Sequence, residues 1–508
     1  MYPGEWAAKR PDEPAVIMGD GETLTWAELD ARSNQFAHLL RRAGLERGDH
    51  AAILMENHVR YLEVMWAALR AGLHLTPINW HLTAEEAAYI VDDCEARVLV
   101  TSTACTDAAT GLVDATPRVV RRLMIDGVAD GYESYEEAVA ELPTTPIADE
   151  SLGEAMFYSS GTTGRPKGVL KELPEATPWL LPEDDPRRAP APLFGFDDRT
   201  VYLCPAPLYH AAPMAFVRGV HANGGTVVVM ERFDARWALE IIEREHITHS
   251  QWVPTMFIRL LDLPEEVRTS FDLSSHQMAI HAAAPCPVAV KHQMMDWWGP
   301  IIWEYYAGSE GVGITIIPPD EWLAHPGSVG HAGAAVVVLD ENDDPLPAGE
   351  TGRIFFVPTR KMEYKGDPDK TAGATSKQGY ITLGDIGHID GDGYLFLTDR
   401  ASFMIISGGV NIYPREAEDV LIGHPAIADV AVFGVPHPDL GEEVKAAVEL
   451  HDGFEPGDEL AADIMAYCRE HLSAFKCPRS VDFEEHLPRL PTGKLYKQQL
   501  RARYWPAR

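Results

Sequence analysis

The segment from Tyr158 to Gly168 limits what this chain can be more than any other part of it. It reads Tyr-Ser-Ser-Gly-Thr-Thr-Gly-Arg-Pro-Lys-Gly and follows the apolar residues 155–157, which indicate the end of a buried strand. Its glycines let several backbone N–H groups turn toward one anion, because glycine adopts dihedral angles that other residues avoid. Lys167 adds a compact positive charge suited to phosphate. Further donors come from four hydroxyl residues, Ser159, Ser160, Thr162 and Thr163. The segment predicts a phosphate-binding loop, with a Gly/Ser/Thr surface turn as the alternative.

The spacing of this loop does not fit a Walker A motif. That motif, Gly-x-x-x-x-Gly-Lys-Ser/Thr, has four residues between its glycines, whereas two residues separate Gly161 from Gly164 and Gly168 follows the lysine. The whole string instead resembles the phosphate loop of the adenylate-forming superfamily, which comprises acyl-CoA synthetases, adenylation domains of peptide synthetases, and luciferases.

Bulk composition excludes several classes of protein. A net charge of −34 argues against a general nucleic-acid or anionic-membrane surface, which would need basic patches. The six cysteines include no Cys-x-x-Cys pair, so neither a zinc site nor a disulfide framework is indicated, and a reducing cytoplasm is expected. The N-terminus has no signal-peptide pattern, and no apolar run of about 18 residues is present to span a membrane.

The order of predicted elements indicates an α/β protein. Capping boxes at Thr25-x-x-Glu28 and Thr83-x-x-Glu86 predict helix starts, and strands predicted at 51–55 and 97–101 alternate with helices. This alternation predicts doubly wound sheets. Alternating strands at 334–339 and 352–357 predict a small antiparallel, barrel-like part. Residues 173–198 contain six prolines and predict a loop, either an inert surface insertion or a lid.

The resemblance covers residues 15 to 502, with the family's motifs in the family's order. It implies a large N-terminal domain over residues 1–400 and a small mobile α+β domain over residues 401–508. Ser402 stands at the hinge position, where relatives carry Asp or Lys. Pro488 to Lys494 matches the terminal motif whose lysine is catalytic. The last fifteen residues contain five cations and no acid: Lys494, Lys497, Arg501, Arg503 and Arg508. The alternative to a catalytic role for this stretch is a basic helix end that simply faces solvent.

The nucleotide site is likewise implied by the resemblance. The turn that ends in Ala283, Ala284 and Pro285 matches the segment beside adenine, and Tyr306 matches the ring stacked on it. Asp385 matches the acceptor of both ribose hydroxyls, and Arg400 matches a second contact to ribose or phosphate. A carboxylate can accept two O–H donors, which suits Asp385.

The catalytic centre and the acyl pocket follow by the same motif matches. Ser309 is expected near the α-phosphate and Glu310 on Mg²⁺, while His210 is expected at the carboxylate end of the acyl site. Two residues differ from the family pattern, because Ala307 replaces glycine and Ser309 replaces threonine. The expected acyl pocket comprises Tyr209, Trp252, Thr255, His281, Ala307 and Gly308.

The implied enzyme is an acyl-CoA synthetase. A carboxylate attacks ATP to give acyl-AMP and pyrophosphate, and the coenzyme A thiol then displaces AMP. Lys494 and Lys167 serve the first step, and Gly408 and Gly409 line the pantetheine path in the second. The alternatives are an adenylation enzyme that feeds a carrier protein, a luciferase-type oxidase, and a non-catalytic nucleotide sensor. The predicted pocket residues suggest an aromatic or polycyclic acid as substrate, and medium or long fatty acids are the alternative substrates. A homodimer is an option for the oligomeric state.

Overall fold

The computed structural model describes residues 2–159, 166–173, 191–358, 361–400, 403–407, 410–489 and 495–505. They form two compact units. Unit 1 comprises Met1–Trp252, Arg259–Ile280 and Arg360–Thr371, and unit 2 comprises Val253–Ile258, His281–Thr359 and Ala372–Arg508. The predicted domain boundary at residue 400 stays a prediction.

The strands, in chain order, are β1 (Pro14–Met18), β2 (Thr23–Thr25), β3 (His50–Leu54), β4 (His74–Ile78), β5 (Val98–Ser102), β6 (Arg121–Ile125), β7 (Glu133–Ser134), β8 (Glu154–Ala155), β9 (Tyr158–Ser159), β10 (Lys167–Lys171), β11 (Val201–Cys204), β12 (Thr226–Val229), β13 (His249–Trp252), β14 (Met278–His281), β15 (Ile302–Ala307), β16 (Ile314–Ile317), β17 (Ser328–His331), β18 (Val336–Leu339), β19 (Gly352–Phe356), β20 (Met362–Tyr364), β21 (Ile381–Ile389), β22 (Tyr394–Arg400), β23 (Ile405–Ser407), β24 (Val410–Ile412), β25 (Ile427–His437), β26 (Gly441–Leu450) and β27 (Ser480–Phe483). The helices are α1 (Pro3–Lys9), α2 (Trp26–Arg42), α3 (Val59–Arg70), α4 (Ala84–Asp93), α5 (Thr106–Ala115), α6 (Tyr135–Ala140), α7 (Ala191–Phe194), α8 (Ala211–Ala222), α9 (Ala235–Arg244), α10 (Pro254–Leu261), α11 (Glu265–Arg268), α12 (Val288–Trp298), α13 (Pro319–Ala324), α14 (Pro368–Gly373), α15 (Pro414–Leu421), α16 (Asp458–His471) and α17 (Lys497–Ala502).

Unit 1 is built on parallel sheets. One sheet has the order β7-β6-β5-β3-β4-β8, and all of its pairings are parallel. In a second sheet the strands of this unit lie in the order β14-β13-β11-β12-β1-β2, with β2 antiparallel to β1. The predicted α/β fold with parallel sheets is therefore confirmed.

Local sequence signals set the helix starts of this unit. The Thr25 side chain accepts from the backbone of Glu28, whose carboxylate accepts from Thr25 in return, and Thr83 and Glu86 do the same at α4. Both predicted capping boxes are thus present. Ile90 of α4, Leu112 of α5 and Leu99 of β5 belong to one buried apolar cluster, which holds α4 in place.

Unit 2 is mainly antiparallel. Strands β15 and β16 pair as a hairpin, and a five-stranded antiparallel sheet has the order β17-β22-β21-β19-β18. Its β18 and β19 occupy the predicted alternating segments. A further sheet has the order β24-β23-β26-β25, with β27 parallel to β26. Pro414 begins α15, as expected for a residue without a backbone N–H.

Two expectations about the chain need correction. Within the proline-rich segment, Ala191–Phe194 forms a helical turn rather than a loop, and residues 174–190 lie outside the described ranges. The basic C-terminal stretch is not simply solvated. Lys497 lies 2.7 Å from Glu418, and Arg501 and Arg503 also pair with acidic residues. Acidic residues therefore pair with the cations of this stretch that lie within the described ranges.

All six cysteines are buried and unbridged. Among the described helices, none combines the length and the apolar character needed to cross a bilayer.

Candidate active site

In unit 1 the ends of the expected phosphate loop meet as a hairpin. Strands β9 and β10 are antiparallel, with Ser159 opposite Lys167 and Tyr158 opposite Gly168. Ser160, Gly161, Thr162, Thr163 and Gly164 lie outside the described residues. The pairing places Lys167 at the base of the loop that carries the predicted phosphate donors.

Helix α4 anchors this hairpin through two tyrosine hydroxyls. The Tyr89 hydroxyl donates to the carbonyl oxygen of Pro166 at 3.0 Å, and the Tyr158 hydroxyl donates to Asp93 at 2.6 Å. Tyr89 and Asp93 are four residues apart, so both lie on one face of α4. The base of the loop is therefore held by a helix that packs in the core.

The loop after β11 carries Tyr209 and His210, and Asn57 fixes its backbone. The Asn57 amide donates to the carbonyl oxygens of Ala206 at 3.1 Å and Met230 at 2.7 Å, and its oxygen accepts from the N–H of Leu208 at 2.8 Å. Asn57 is 6% exposed, so its buried amide makes these hydrogen bonds with the loop instead of with water. One buried amide thus sets the position of the predicted acyl-site loop.

Three polar atoms near this loop are buried without a hydrogen-bond partner among the described residues. They are the hydroxyls of Tyr61 and Tyr209 and Nε2 of His210. The Tyr209 and His210 rings lie 4.2 Å apart. Burial lowers the pKa of His210 to about 3, so its imidazole is neutral at physiological pH. Burial first, and then the neighbouring Tyr209, raises the pKa of Tyr61 well above its ordinary value.

Trp252 ends β13 and is packed inside unit 1. Its side chain is 1% exposed, its Nε1 donates to the Ser250 hydroxyl at 2.5 Å, and its ring meets Phe233 edge to face. Its role as an acyl-pocket wall stays a prediction.

In unit 2 the expected adenine turn follows His281. Ala283 has φ of 73°, the left-handed region that favours glycine, and it is exposed, as is Pro285. Ala284 is half-buried. The Arg415 guanidinium lies 3.5 Å from the carbonyl oxygen of Pro285. The turn therefore has an open face and a strained residue at its tip.

A buried charge cluster lies behind this turn. Lys291 of α12 is fully buried and lies 2.7 Å from Glu304 of β15, and Nε2 of His281 lies 3.3 Å from the same carboxylate oxygen without forming a well-directed hydrogen bond. Burial alone would raise the pKa of Glu304, but Lys291 and then His281 hold it at about 2. Lys291 also lies over the Trp322 ring at 4.5 Å. His281 was expected to line the acyl pocket, yet its contacts are internal, and the pocket role stays a prediction.

The residues predicted for adenine and ribose come together in unit 2. The Tyr306 hydroxyl donates to Oδ2 of Asp385 at 2.7 Å. Asp385 is 8% exposed and stands opposite Arg400 in the register of β21 and β22. Gly384, with φ of 83°, precedes Asp385 within β21. Tyr306 and Asp385, which are 79 positions apart in sequence, thus meet through their side chains.

The predicted magnesium ligand lies just after β15. The Ser309 hydroxyl lies 3.4 Å from the Glu310 carboxylate, which is nearly buried. A Cβ atom on Gly308 would lie 2.5 Å from that carboxylate, so a larger residue there would displace the Glu310 side chain. Ala307 is exposed at the end of β15, and Thr255 is half-buried on the first turn of α10. Their pocket roles stay predictions.

Several predicted residues lie outside the described ranges. They are the terminal lysine, the pantetheine-path glycines and the hinge residue: Lys494, Gly408, Gly409 and Ser402. The sequence reasoning, in turn, missed Asn57, Tyr61, Tyr89 and Lys291. The i,i+4 spacing of Tyr89 and Asp93 was a usable signal, and Lys291, which follows three apolar residues at the start of α12, was a weaker one.

Comparison with known proteins identifies the family. A family model described as "AMP-binding enzyme" matches residues 4–357, and one described as "AMP-binding enzyme C-terminal domain" matches residues 416–494. The chain belongs to the AMP-binding enzyme family, within the adenylate-forming superfamily and near the acyl-CoA synthetases.

Individual relatives span nearly the whole chain. A feruloyl-CoA synthase of an Amycolatopsis species is 34% identical over 99% of this chain and 99% of its own length. The fatty acid–acyl-carrier-protein ligase ScoC of Streptomyces coeruleorubidus is 32% identical over 98% of this chain and 95% of its own. The ATP-bound structure of MatB from Rhodopseudomonas palustris has a TM-score of 0.81, with 28% identity and 99% of both chains covered. The predicted AMP-forming ligase of the acyl-CoA synthetase class, which uses ATP and coenzyme A, is confirmed.

Proposed function

We propose that Tyr306, Asp385 and Arg400 bind the nucleoside part of ATP. The observation that carries this proposal is the 2.7 Å hydrogen bond from Tyr306 to Asp385, with Arg400 in register opposite. The Tyr306 hydroxyl orients the carboxylate, which accepts the two ribose hydroxyls. Adenine then lies between the Tyr306 ring and the turn at Ala283, Ala284 and Pro285.

The phosphates are assigned to the hairpin loop and to Lys167. Lys167 stands at the base of this loop, where its compact charge suits phosphate oxygens. Glu310 and Ser309 offer oxygen atoms of the type that Mg²⁺ prefers, so these residues fit the ion and Glu310 would hold it. When bound, Mg²⁺ would neutralise part of the phosphate charge.

The chemistry divides into two steps. His210 orients the carboxylate of the acid, which attacks the α-phosphorus of ATP, and Lys494 steadies the negative charge that develops there. The products are acyl-AMP and pyrophosphate. The small C-terminal domain then turns about Ser402, and the coenzyme A thiol passes Gly408 and Gly409 to attack the acyl carbon, releasing AMP.

The acid is proposed to be an aromatic carboxylic acid. Two of the residues predicted for the acyl pocket, Tyr209 and Trp252, are aromatic, and the feruloyl-CoA synthase relative points to an aryl substrate. Because the relative ScoC is a ligase that acts on an acyl-carrier protein, a carrier protein is the alternative acceptor of the acyl group. The buried, unbridged cysteines support a reducing cytoplasm. A homodimer stays a prediction that light scattering tests.

The decisive experiment measures ATP–pyrophosphate exchange and thioester formation separately. Asp385→Ala should raise the KM for ATP on the order of 30- to 1000-fold, because a buried charged acceptor is lost. The exposed turn residue Asp392 gives the matched control, since Asp392→Ala should leave the KM unchanged. Equal KM values for the two variants would refute the ribose assignment. Absence of exchange with every acid tested would indicate a nucleotide sensor.

A further inference from the structure

Three side chains of metal-ligating type meet at the turn between β21 and β22, in unit 2. His325 follows α13, and Asp390 and Asp392 belong to the turn itself. One ligand atom of each side chain lies within 4.8 Å of the other two. Among the described residues, no second trio of His, Cys, Asp or Glu side chains meets this spacing. The fold thus gathers one imidazole and two carboxylates from separate parts of the chain.

The separation between His325 and Asp390 is that of two ligands of one ion. Nδ1 of His325 lies 3.5 Å from Oδ2 of Asp390, and no well-directed hydrogen bond joins these atoms. Two atoms that bind one tetrahedral ion at about 2.1 Å lie about 3.4 Å from each other. A direct N–H···O hydrogen bond would be shorter, at about 2.7–3.2 Å. An ion that bridges the two atoms therefore fits their observed separation.

Neighbouring contacts hold both groups in this arrangement. The His325 imidazole stacks on the Tyr394 ring with the centroids 3.7 Å apart, and the Tyr394 hydroxyl donates to Glu321 at 3.0 Å. Oδ1 of Asp390 accepts the backbone N–H groups of Asp392 at 3.0 Å and Tyr394 at 2.8 Å, while Oδ2 faces the imidazole. Contacts of this kind orient metal ligands in proteins. Asp392 is exposed, so its side chain can rotate toward the ion.

The donor set decides which cation suits the site. Zn²⁺ accepts imidazole nitrogen and carboxylate oxygen ligands in a tetrahedral arrangement, in which water can supply the fourth ligand. Mg²⁺ prefers oxygen ligands in an octahedral arrangement and would gain little from the imidazole. Two carboxylates also balance the charge of a divalent ion. The chemistry therefore favours a transition metal over Mg²⁺.

We propose that His325, Asp390 and Asp392 form a binding site for Zn²⁺ or a related divalent transition-metal ion. The ion would link the end of α13 to the turn between β21 and β22 and so stabilise unit 2. Asp390 stands five residues after Asp385 along the chain, which corresponds to roughly 16 Å of strand. The site is therefore separate from the predicted ribose contact, and metal binding there does not depend on the proposed function.

Zn²⁺ binding to the tag-free, metal-stripped full-length protein tests the proposal. Competition with a chromophoric chelator, in excess Mg²⁺, measures the affinity. The dissociation constant should rise at least about 10-fold in His325→Gln and in Asp392→Asn, because each removes one ligand. Asp392→Asn changes only an exposed group, so it remains informative if His325→Gln folds poorly. Zn²⁺ should also raise the melting temperature of the wild type more than that of either variant.

His331→Gln is the matched control. His331 stands beside the same turn, where a Cβ atom on Gly393 would lie 2.6 Å from its Nε2, and its ring meets Tyr394 edge to face. Nδ1 of His331 accepts from the backbone N–H of Gly333 at 3.1 Å. In the neutral ring Nε2 then carries the proton and is not a metal ligand. This variant should bind Zn²⁺ as the wild type does.

Two results would overturn the site. Equal Zn²⁺ affinity in the wild type and in Asp392→Asn, or in a folded His325→Gln, would leave His325 and Asp390 as an ion pair only. An equal loss of affinity in His331→Gln would show that any histidine on this surface binds the ion. A loss confined to His325→Gln and Asp392→Asn supports the proposed ligands.

Discussion

Replacing Lys291 with methionine should destabilise the protein strongly and in a pH-dependent way. Methionine is unbranched and only one heavy atom shorter than lysine, so packing changes little and the main loss is electrostatic. Glu304 would then be a nearly buried carboxylate that keeps His281 as a neighbour but has lost its lysine. Removing one partner of a buried ion pair costs about 3–5 kcal/mol. The melting temperature should fall by roughly 5–10 °C.

The pH dependence gives the sharper test. In the wild-type protein the pKa of Glu304 is about 2, so its charge stays fixed across the usual pH range. Without Lys291, burial raises the folded-state pKa above the value in the unfolded chain. The folded carboxyl then holds a proton that the unfolded chain releases, and stability is lost as pH rises from about 4.5 through the folded-state pKa. The difference between the wild type and Lys291→Met should therefore be larger at pH 8 than at pH 5.

A double-mutant cycle supplies the control. Glu304→Gln removes the charge and keeps the shape, so Lys291→Met/Glu304→Gln should be more stable than the sum of the single losses by at least about 2 kcal/mol. Additive losses, or a pH-independent effect of Lys291→Met, would contradict the charge-pair reasoning. Thermal unfolding followed by tryptophan fluorescence measures all four proteins.

Three further predictions concern other parts of the chain. Trp66 donates to Nδ1 of fully buried His221, whose other nitrogen faces the Ala15 carbonyl, and burial lowers the His221 pKa to about 4. The histidine takes up a proton near pH 6.5 in the unfolded chain but only near pH 4 in the folded protein. As the pH falls from 6.5 to 4, this residue should therefore lower the free energy of unfolding by up to about 1.4 kcal/mol for each pH unit. In His221→Gln, free energies of unfolding measured by urea titration at several pH values should depend less steeply on pH. Ala283→Gly should unfold at a higher temperature than Ala284→Gly, by the equivalent of about 1 kcal/mol, because only Ala283 has a left-handed backbone; equal melting temperatures would refute this. Asn57→Ala should lower kcat/KM for the acid at least about 10-fold while the KM for ATP stays within about 2-fold, since Asn57 holds the acyl-site loop rather than the residues predicted to bind the nucleotide. A matching change in both would contradict that role.

Much of the site was predictable because its signals are local or follow a fixed motif order. The capping boxes at Thr25 and Thr83 depend on residues three apart, so the sequence alone predicts them. The motif order likewise predicted that Tyr306 and Asp385 serve one nucleotide, and the structure joins them by a hydrogen bond across 79 residues. The alternation of strands and helices predicted the parallel sheets, since the hydrophobic periodicity that marks each strand or helix lies within that one element.

What only the tertiary structure decided is the partner of each buried polar or charged group. Asn57 meets Ala206 149 residues away, and Lys497, which composition showed as part of a basic end, is neutralised by Glu418. Lys291 pairs with Glu304 across a helix and a strand. Burial makes these pairings decisive, because a polar group removed from water is stable only beside a complementary one, and which one that is depends on packing in three dimensions.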